Sequence, residues 1–533
     1  MTSQRSTEHT RDSIKSTDSD NTILHKEILE LYEKAAHEAG ERNGLDSFAS
    51  SSTKTSSSIV EVPLDDEAAG QDTNLVWWDG DNDPENPMNW PKWKKTLNLS
   101  VVFLLCFVSP FASSSFVPAI LDIMAEFGTN NSYLAGFAVG VYVLGFAVGP
   151  LVIGPLSEVY GRVIMYHVCN SIFVLFNILC GFSYNLNFLA AMRFFAGVGG
   201  SHVFALAPAT IADMVEPHRR GSMMALVAMG LQLGPAVGPI VGSYLNYAKG
   251  WAWIFFMIAI IGGVCMMAGL VVFSETYAPI LLEREVRGLR ERNGNEKFRS
   301  KLDTGIPHRK LFLTAMLRPL HMLLLSPNVF LVSLLTAVGY GYMYLMFSTF
   351  PAVFTTIYDW PSRSVGVVYL GTAVGNLLGI CLGGITSDVI MKKRAAAADT
   401  KPENRLIPMI FLWPLVSIGL FIYGWGIEKE VHWFVPVLGT AVFGFGSMAT
   451  ILSASTYLVD AYTIHAASAS AASVVFRSLL GGLVPLFAYK LYQGLGFGWG
   501  HSLLAFLALV LAPVPFFFYR YGERLRSRFR VSL

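Results

Sequence analysis

The sequence predicts an all-α membrane protein: 12 transmembrane helices in two six-helix bundles, with both termini cytosolic. Three observations predict it: long apolar runs, the side on which the loop charges fall, and a signature repeated halfway along the chain. Composition sets the frame. Of 533 residues, 53% are hydrophobic and only 14% are charged, against about 25% charged in a soluble protein. That excludes a soluble enzyme, a disordered scaffold and a secreted disulfide domain. The formal net charge of +1 gives no support to nucleic-acid binding.

Residues 1–96 read as a disordered acidic cytosolic tail. They hold 19 of the 38 acids and 10 of the 39 bases, with a Ser/Thr run at Ser47–Ser58. Their apolar surface is too small to offset the entropy of ordering. Within the tail, Ile28, Leu31, Tyr32 and Ala35 are spaced for one amphipathic helix over 23–42, read as a transient solvated helix rather than a docking element. The polar start is too long for a secretory signal peptide. The five cysteines, Cys106, Cys169, Cys180, Cys265 and Cys381, all fall in apolar runs without metal-ligand spacing. They read as inert packing, with no metal site and no disulfide.

From Leu97 the apolar runs are long enough to cross a hydrocarbon core, about 20 residues each. The first six are 97–121, 133–155, 164–184, 187–212, 221–245 and 252–274. The second six are 328–354, 365–387, 405–426, 433–457, 466–489 and 498–519. Backbone hydrogen bonding in lipid makes these helices; a barrel would show short alternating strands. With the amino terminus inside, the inside loops and C-terminal tail hold 23 of the 29 bases after residue 96. The outside loops hold only Lys249, Arg363, Lys429 and Lys490. This bias places both termini in the cytosol. The outside loop after the first span carries a glycosylation pattern at Asn130.

The domains then follow: an N-terminal bundle at 97–274, a cytosolic connector at 275–327 with ten bases from Arg284 to Arg318, a C-terminal bundle at 328–520 and a basic cytosolic tail at 521–533. Gly154-Pro155-Leu156-Ser157-Glu158 ends span 2, and Gly384-Ile385-Thr386-Ser387-Asp388 ends span 8, 230 residues later. The shared topological position suggests an internal duplication. Parallel halves imply alternating access around a site near the midplane.

Three stretches carry chemistry. Gly154 to Arg162 spans the 2–3 loop; Gly154 and Gly161 allow a tight turn, and Glu158 and Arg162 can form a charged lock. Arg193 in span 4 is a charge within an apolar run, so it should face the bundle interior rather than lipid. In span 5, Gly230, Gly234, Gly238 and Gly242 fall on one helical face, with Pro235 and Pro239 beside them as kinks. Candidate substrate contacts are Tyr340, Tyr344 and Phe347 on one face of span 7, with Gln232 and Asn376 as polar handles. An aromatic wall with few polar points suits a lipophilic or aromatic small molecule; ordinary helix packing is the plain alternative for each. His-Glu-x-x-His, Gly-x-Ser-x-Gly and a nucleotide loop are all missing, which argues against an enzyme or an ATP-driven pump.

Together these motifs resemble the major facilitator superfamily, and the span 5 motif resembles its antiporter signature. Asn86-Pro87-Met88-Asn89-Trp90-Pro91, Ser274-Glu275-Thr276-Tyr277-Ala278-Pro279, Tyr457-Leu458-Val459-Asp460-Ala461-Tyr462 and Tyr521-Gly522-Glu523-Arg524-Leu525 look like fungal twelve-span drug:proton antiporters of the multidrug and polyamine exporter branch. The likeness covers about residues 80–526. Glu158, Val163, Ala196 and Ala252 depart from the wider pattern. The resemblance implies a proton-coupled efflux transporter for drugs, toxins or secondary metabolites, with no cofactor beyond the proton gradient. It implies a glycosylated multi-pass monomer in the plasma membrane, or in the vacuolar membrane, with the lipid bilayer, protons and a small molecule as partners. By the same resemblance Glu158, Arg162 and Asp213 form an inner-face lock, with Gly154, Gly161 and Asp388 in the matching motifs, and Arg193 takes part in proton coupling. The alternatives are a polyamine or nutrient carrier of the same fold, and a non-transporting membrane receptor.

Overall fold

The computed structural model describes residues 74–80, 82–303, 308–396 and 401–528, all within the compact unit Gln71–Leu533. The possible helix at 23–42 lies outside the described residues. The first half comprises α1 (Lys92–Ser114), α2 (Ile120–Glu126), α3 (Ser132–Tyr160), α4 (Arg162–Gly181), α5 (Leu186–Gly200), α6 (His202–Met214), α7 (Pro217–Lys249) and α8 (Ala252–Val272). A connector holds α9 (Ala278–Asn293) and α10 (His308–Leu325). The second half comprises α11 (Pro327–Thr356), α12 (Tyr369–Ala396), α13 (Ile407–Leu412), α14 (Pro414–Glu428), α15 (Phe434–Ala461), α16 (Ala466–Leu483), α17 (Ala488–Leu511) and α18 (Pro513–Arg528).

Eleven segments among the described residues are long and apolar enough to cross a membrane. The last, Ala466–Arg526, runs for 61 residues. A straight helix of that length would be about 90 Å, three times the hydrocarbon thickness. It is instead broken at Gly496, whose φ of 72° takes it out of helical geometry. Glu428 braces the break, accepting the Phe497 N–H (2.9 Å) and the Gly498 N–H (3.2 Å). Beyond it, Trp425 Nε1–H donates to Ser502 Oγ and Trp413 Nε1–H to the Ala508 carbonyl, which ties this stretch to the 407–428 region.

Several predicted boundaries shift. Some helices run past the apolar runs at both ends, as α3 and α11 do, and others stop short at the C-terminal end, as α4 and α8 do. Residues 74–80 and 82–90, assigned to the disordered tail, carry structure. β1 (Leu75–Val76) pairs in parallel with β2 (Arg299–Ser300) of the connector, and Trp90 is buried. Asp83 accepts the N–H groups of Asp79 and Glu85, closing a local turn. Burial, with Glu85, Asp79 and Asp83 nearby, pushes the Glu285 carboxyl up. Docking of this segment is therefore expected to be firmer in acid and to weaken as pH rises from the ordinary carboxylate range through the raised Glu285 pKa. The connector is largely helical, and α18 continues to Arg528, through most of the predicted basic tail.

The ends of the halves where the chain enters and leaves (proximal here) lie together. Ser274 N–H reaches Asn98 Oδ1, Ser326 Oγ lies 2.7 Å from the Tyr462 hydroxyl, and Asn328 Nδ2–H donates to the Gly522 carbonyl. The halves meet closely in their distal parts. A Cβ at Gly140 would collide with the Gly482 carbonyl, and one at Gly366 would lie 2.5 Å from the Pro239 carbonyl oxygen. Four cysteines are buried as expected; Cys381 is exposed on the surface of α12.

Candidate functional site

The proximal turn between α3 and α4 is tighter than the sequence suggests. Gly154 to Tyr160 is helical, and only Gly161 leaves the helix, at φ 97°. A side chain there would be strained, and its Cβ would lie 2.5 Å from Glu275 Oε2. Arg162, freed to point inward, is 7% exposed. Its Nε–H donates to Asp213 Oδ2 (3.3 Å) and its Nη1–H to Ser157 Oγ (2.5 Å). The guanidinium also sits 4.6 Å from the Tyr277 ring. Burial, then the nearby Glu158, pushes the Tyr277 phenol up to about 12, so the ring stays neutral. The predicted pair of Arg162 and Asp213 is therefore formed. Glu158 is not within ion-pair distance of Arg162 among the described residues.

Glu275 is the residue that sequence reasoning missed. Its Oε1 accepts the backbone N–H groups of Arg162, Thr276 and Tyr277, each at 3.0 Å, and Oε2 accepts that of Val163 (3.3 Å). One carboxylate thus caps the start of α4 and closes the turn after α8. Replacing it with Ala leaves four donors without this acceptor, two of them at a helix N-terminus; we expect Glu275→Ala to lower the transport that the family resemblance implies at least about tenfold, since each unmet buried donor costs about 1–3 kcal/mol. Glu275→Gln, which keeps one acceptor oxygen, should fall between. Vesicle transport normalised to folded protein checks the order.

Asp388 does not join that lock. It belongs to a matching one in the second half, built on Arg405. Arg405 Nη1–H donates to Asp388 Oδ1 (2.9 Å) and Ser387 Oγ (3.1 Å), and its Nε–H to Asp460 Oδ2 (2.9 Å). The layout repeats that of Ser157, Arg162 and Asp213. The repeated Ser-acid signature was the signal for Arg405, which lies one span further on.

Arg193 is 1% exposed. Its Nε–H donates to the Ala138 carbonyl (2.9 Å) and its Nη2–H to the Ser113 carbonyl (3.0 Å). The guanidinium lies 3.7 Å from the Phe116 ring centre and 5.0 Å from that of Tyr142. It faces the interior, as expected, and ties α5 to α1 and α3. An acid partner for it to tune is missing among the described residues.

On α7 the glycine face seats α1. A Cβ at Gly230 would lie 3.1 Å from the Phe103 ring, at Gly234 2.5 Å from the Phe107 carbonyl oxygen and at Gly238 2.7 Å from Ser114 Oγ; at Gly242 it would collide with the Ser115 carbonyl. Pro235 and Pro239 lie inside this continuous helix. Gln232 is about 200° around from Gly230 and Gly234, off this face.

The aromatic wall is formed. Tyr340 and Tyr344 rings are 5.0 Å apart, Tyr344 and Phe347 5.7 Å, and Phe347 and Tyr369 5.0 Å. The Tyr344 hydroxyl lies 2.9 Å from Ser113 Oγ, a hydrogen bond between the halves. Tyr344 and Phe347 are buried, so the wall is packed on itself here. Asn376 Nδ2–H reaches only Met343 Sδ, and its Oδ1 is buried without a partner. The structure does not bring Gln232 into described hydrogen-bond contact with the wall. An apolar groove of about 370 Å³ between α3 and α5, lined by Leu134, Phe137, Val141 and Phe194 among others, contains none of the predicted substrate residues. Asn130 is exposed in the loop before α3.

A family model described as Major Facilitator Superfamily matches residues 102–485. The chain is 44% identical over 485 residues to a protein named efflux pump radE of Floropilus chiversii, covering 90% of each. It is 44% identical over 465 residues to MFS-type transporter penM of Penicillium rubens, covering 87% of this chain and 92% of that one. Among solved structures, a D-xylose-proton symporter superposes with a TM-score of 0.59 at 14% identity, covering 78% of this chain and 97% of the other. That likeness concerns the fold alone.

Proposed function

Because the chain belongs to the major facilitator superfamily, and is a membrane transporter rather than an enzyme, we propose that it exports lipophilic or aromatic secondary metabolites, toxins or drugs in exchange for protons. The observation that carries export is the glycine and proline face of α7 seated on α1, the stretch that resembles the antiporter signature. A relative named an efflux pump agrees in direction. The basic residues crowd the proximal end, which we assign to the cytosol. Ala466–Arg526 counts as two crossings, giving twelve, and the protein works as a monomer in the plasma membrane with Asn130 as its glycan acceptor.

Alternating access then has a physical basis in two proximal locks, one per half, and a distal seam of close glycine contacts. Breaking one set while forming the other moves a midplane site between faces. Substrate meets the Tyr340, Tyr344 and Phe347 wall once the halves part, with Gln232 and Asn376 as its polar contacts. Arg193 acts as a positioning residue for coupling, since it holds three helices of one half in register.

Inside-out vesicles loaded with the full chain test this reading. Fluorescein uptake should require an inward-acidic gradient and collapse with a protonophore. Arg193→Lys should weaken that gradient dependence with protein yield unchanged. Uptake that ignores the gradient would remove the antiport mechanism.

A further inference from the structure

One half-buried cation is left over by this mechanism. Arg477 lies on α16, about 17 Å along the helix from Ala466, near half the hydrocarbon depth. Its guanidinium sits 5.1 Å from the Tyr340 ring of α11 and 5.9 Å from the Phe204 ring of α6. These rings come from opposite halves, so Arg477 stands at the seam between them. Gly481, one turn on along the same face, brings Tyr340 and Val143 of α3 close to α16: a Cβ there would lie 2.7 Å and 3.2 Å from them.

The contrast with Arg193 is informative. Arg193 donates to two carbonyls. Arg405 and Arg162 each have a carboxylate. Arg477 Nε is shut off from solvent with no hydrogen-bond partner, and the titratable neighbours that act on it are the phenols Tyr340 and Tyr344. Ring faces attract a guanidinium, but they neither accept its in-plane N–H groups nor supply a negative charge. Arg477 is only half-buried, with its Nε shut off, and a charge at membrane depth marks a functional site by default. What would complete it is an acceptor that arrives and leaves.

We infer that Arg477, with the Tyr340 and Tyr344 wall beside it, recognises a substrate bearing a carboxylate or an ionised phenol on an aromatic or lipophilic skeleton. The guanidinium fork matches two oxygens of one acidic group, and the rings take the apolar body. A polycation would be repelled, so the polyamine alternative is disfavoured by the same residue. This rests on the exporter reading and narrows its substrate class.

Two xanthene dyes of similar shape separate the possibilities: anionic fluorescein and cationic rhodamine 123. Equilibrium binding to purified full-length protein is read by fluorescence anisotropy, without a membrane gradient. Wild type should bind fluorescein about tenfold or more tightly than rhodamine 123. Arg477→Gln should lose about tenfold or more of fluorescein affinity, the range for one charge-assisted contact, while rhodamine binding holds or improves. Arg477→Lys should recover part of the loss, because charge remains and the fork does not. Gel filtration and rhodamine binding show that each variant is folded. Absent fluorescein binding to wild type, or equal binding to Arg477→Gln, overturns the inference. Binding that depends on Arg477 with no gradient-driven uptake leaves the anion site standing and defeats the proton-coupled exporter instead.

Discussion

Reversing the charge at Asp213 is expected to cut gradient-driven export by about tenfold or more. The side chains of Arg162 and Asp213 are only 8% and 18% exposed, so solvent screens the pair poorly. Asp213 also accepts from the Thr276 hydroxyl (3.2 Å), which links it to the turn that Glu275 closes. Asp213→Arg would set two guanidiniums against each other and remove that acceptor. Breaking a fully buried pair costs about 3–5 kcal/mol, and the partial exposure here puts the figure nearer the lower end. A bias of that size empties one of two conformations whose free energies differ by a few kcal/mol. Arg162→Asp combined with Asp213→Arg should recover part of the activity. It should not recover all, because Ser157 and Tyr277 are placed to receive an arginine at position 162. Wild-type export from either single variant would refute the lock.

Gly242→Val is expected to damage folding as well as transport. A Cβ at this position would collide with the Ser115 carbonyl, which is backbone and cannot rotate away. α7 must then lift from α1 over the length of the seat, weakening the contacts at Gly234 and Gly238 too. Overpacking of this kind costs about 1–3 kcal/mol. The melting temperature in detergent should fall by about 1–5 °C, and export should fall with it. Gly263→Ala is the control, since nothing lies within 4 Å of a Cβ there. A Gly242→Val protein that melts and exports like wild type would show that the seat is dispensable.

Helix existence was legible because span length is a property of local sequence. Apolar runs of about 20 residues have few other structures in lipid. Helix ends were less legible: Glu158 and Tyr160 look like loop residues, yet they extend α3 by another turn. The glycine face on α7 could be read, since its period of four lies within one helix. Glu275 could not, because its four donors cluster 113 residues away and beside itself, and nothing local tells a capping carboxylate from a solvated one. Asp388 was recognised by its repeated signature and grouped with the first-half lock, without its own partner. Only the folded second half shows that Arg405 takes the place of Arg162. The wall at Tyr340, Tyr344 and Phe347 was legible as one face of a helix; whether it lines open space depends on the distance between halves, which no local pattern carries.

The two locks share a layout but not an environment. In the first half the paired side chains are 8% and 18% exposed; in the second, Arg405 is 20% exposed, its matching partner Asp460 35% and Asp388 69%. Mobile ions reach the second pair and hardly reach the first. Raising ionic strength on the proximal side therefore loosens one half of a near-symmetric machine and spares the other. The second lock is expected to yield to salt before the first.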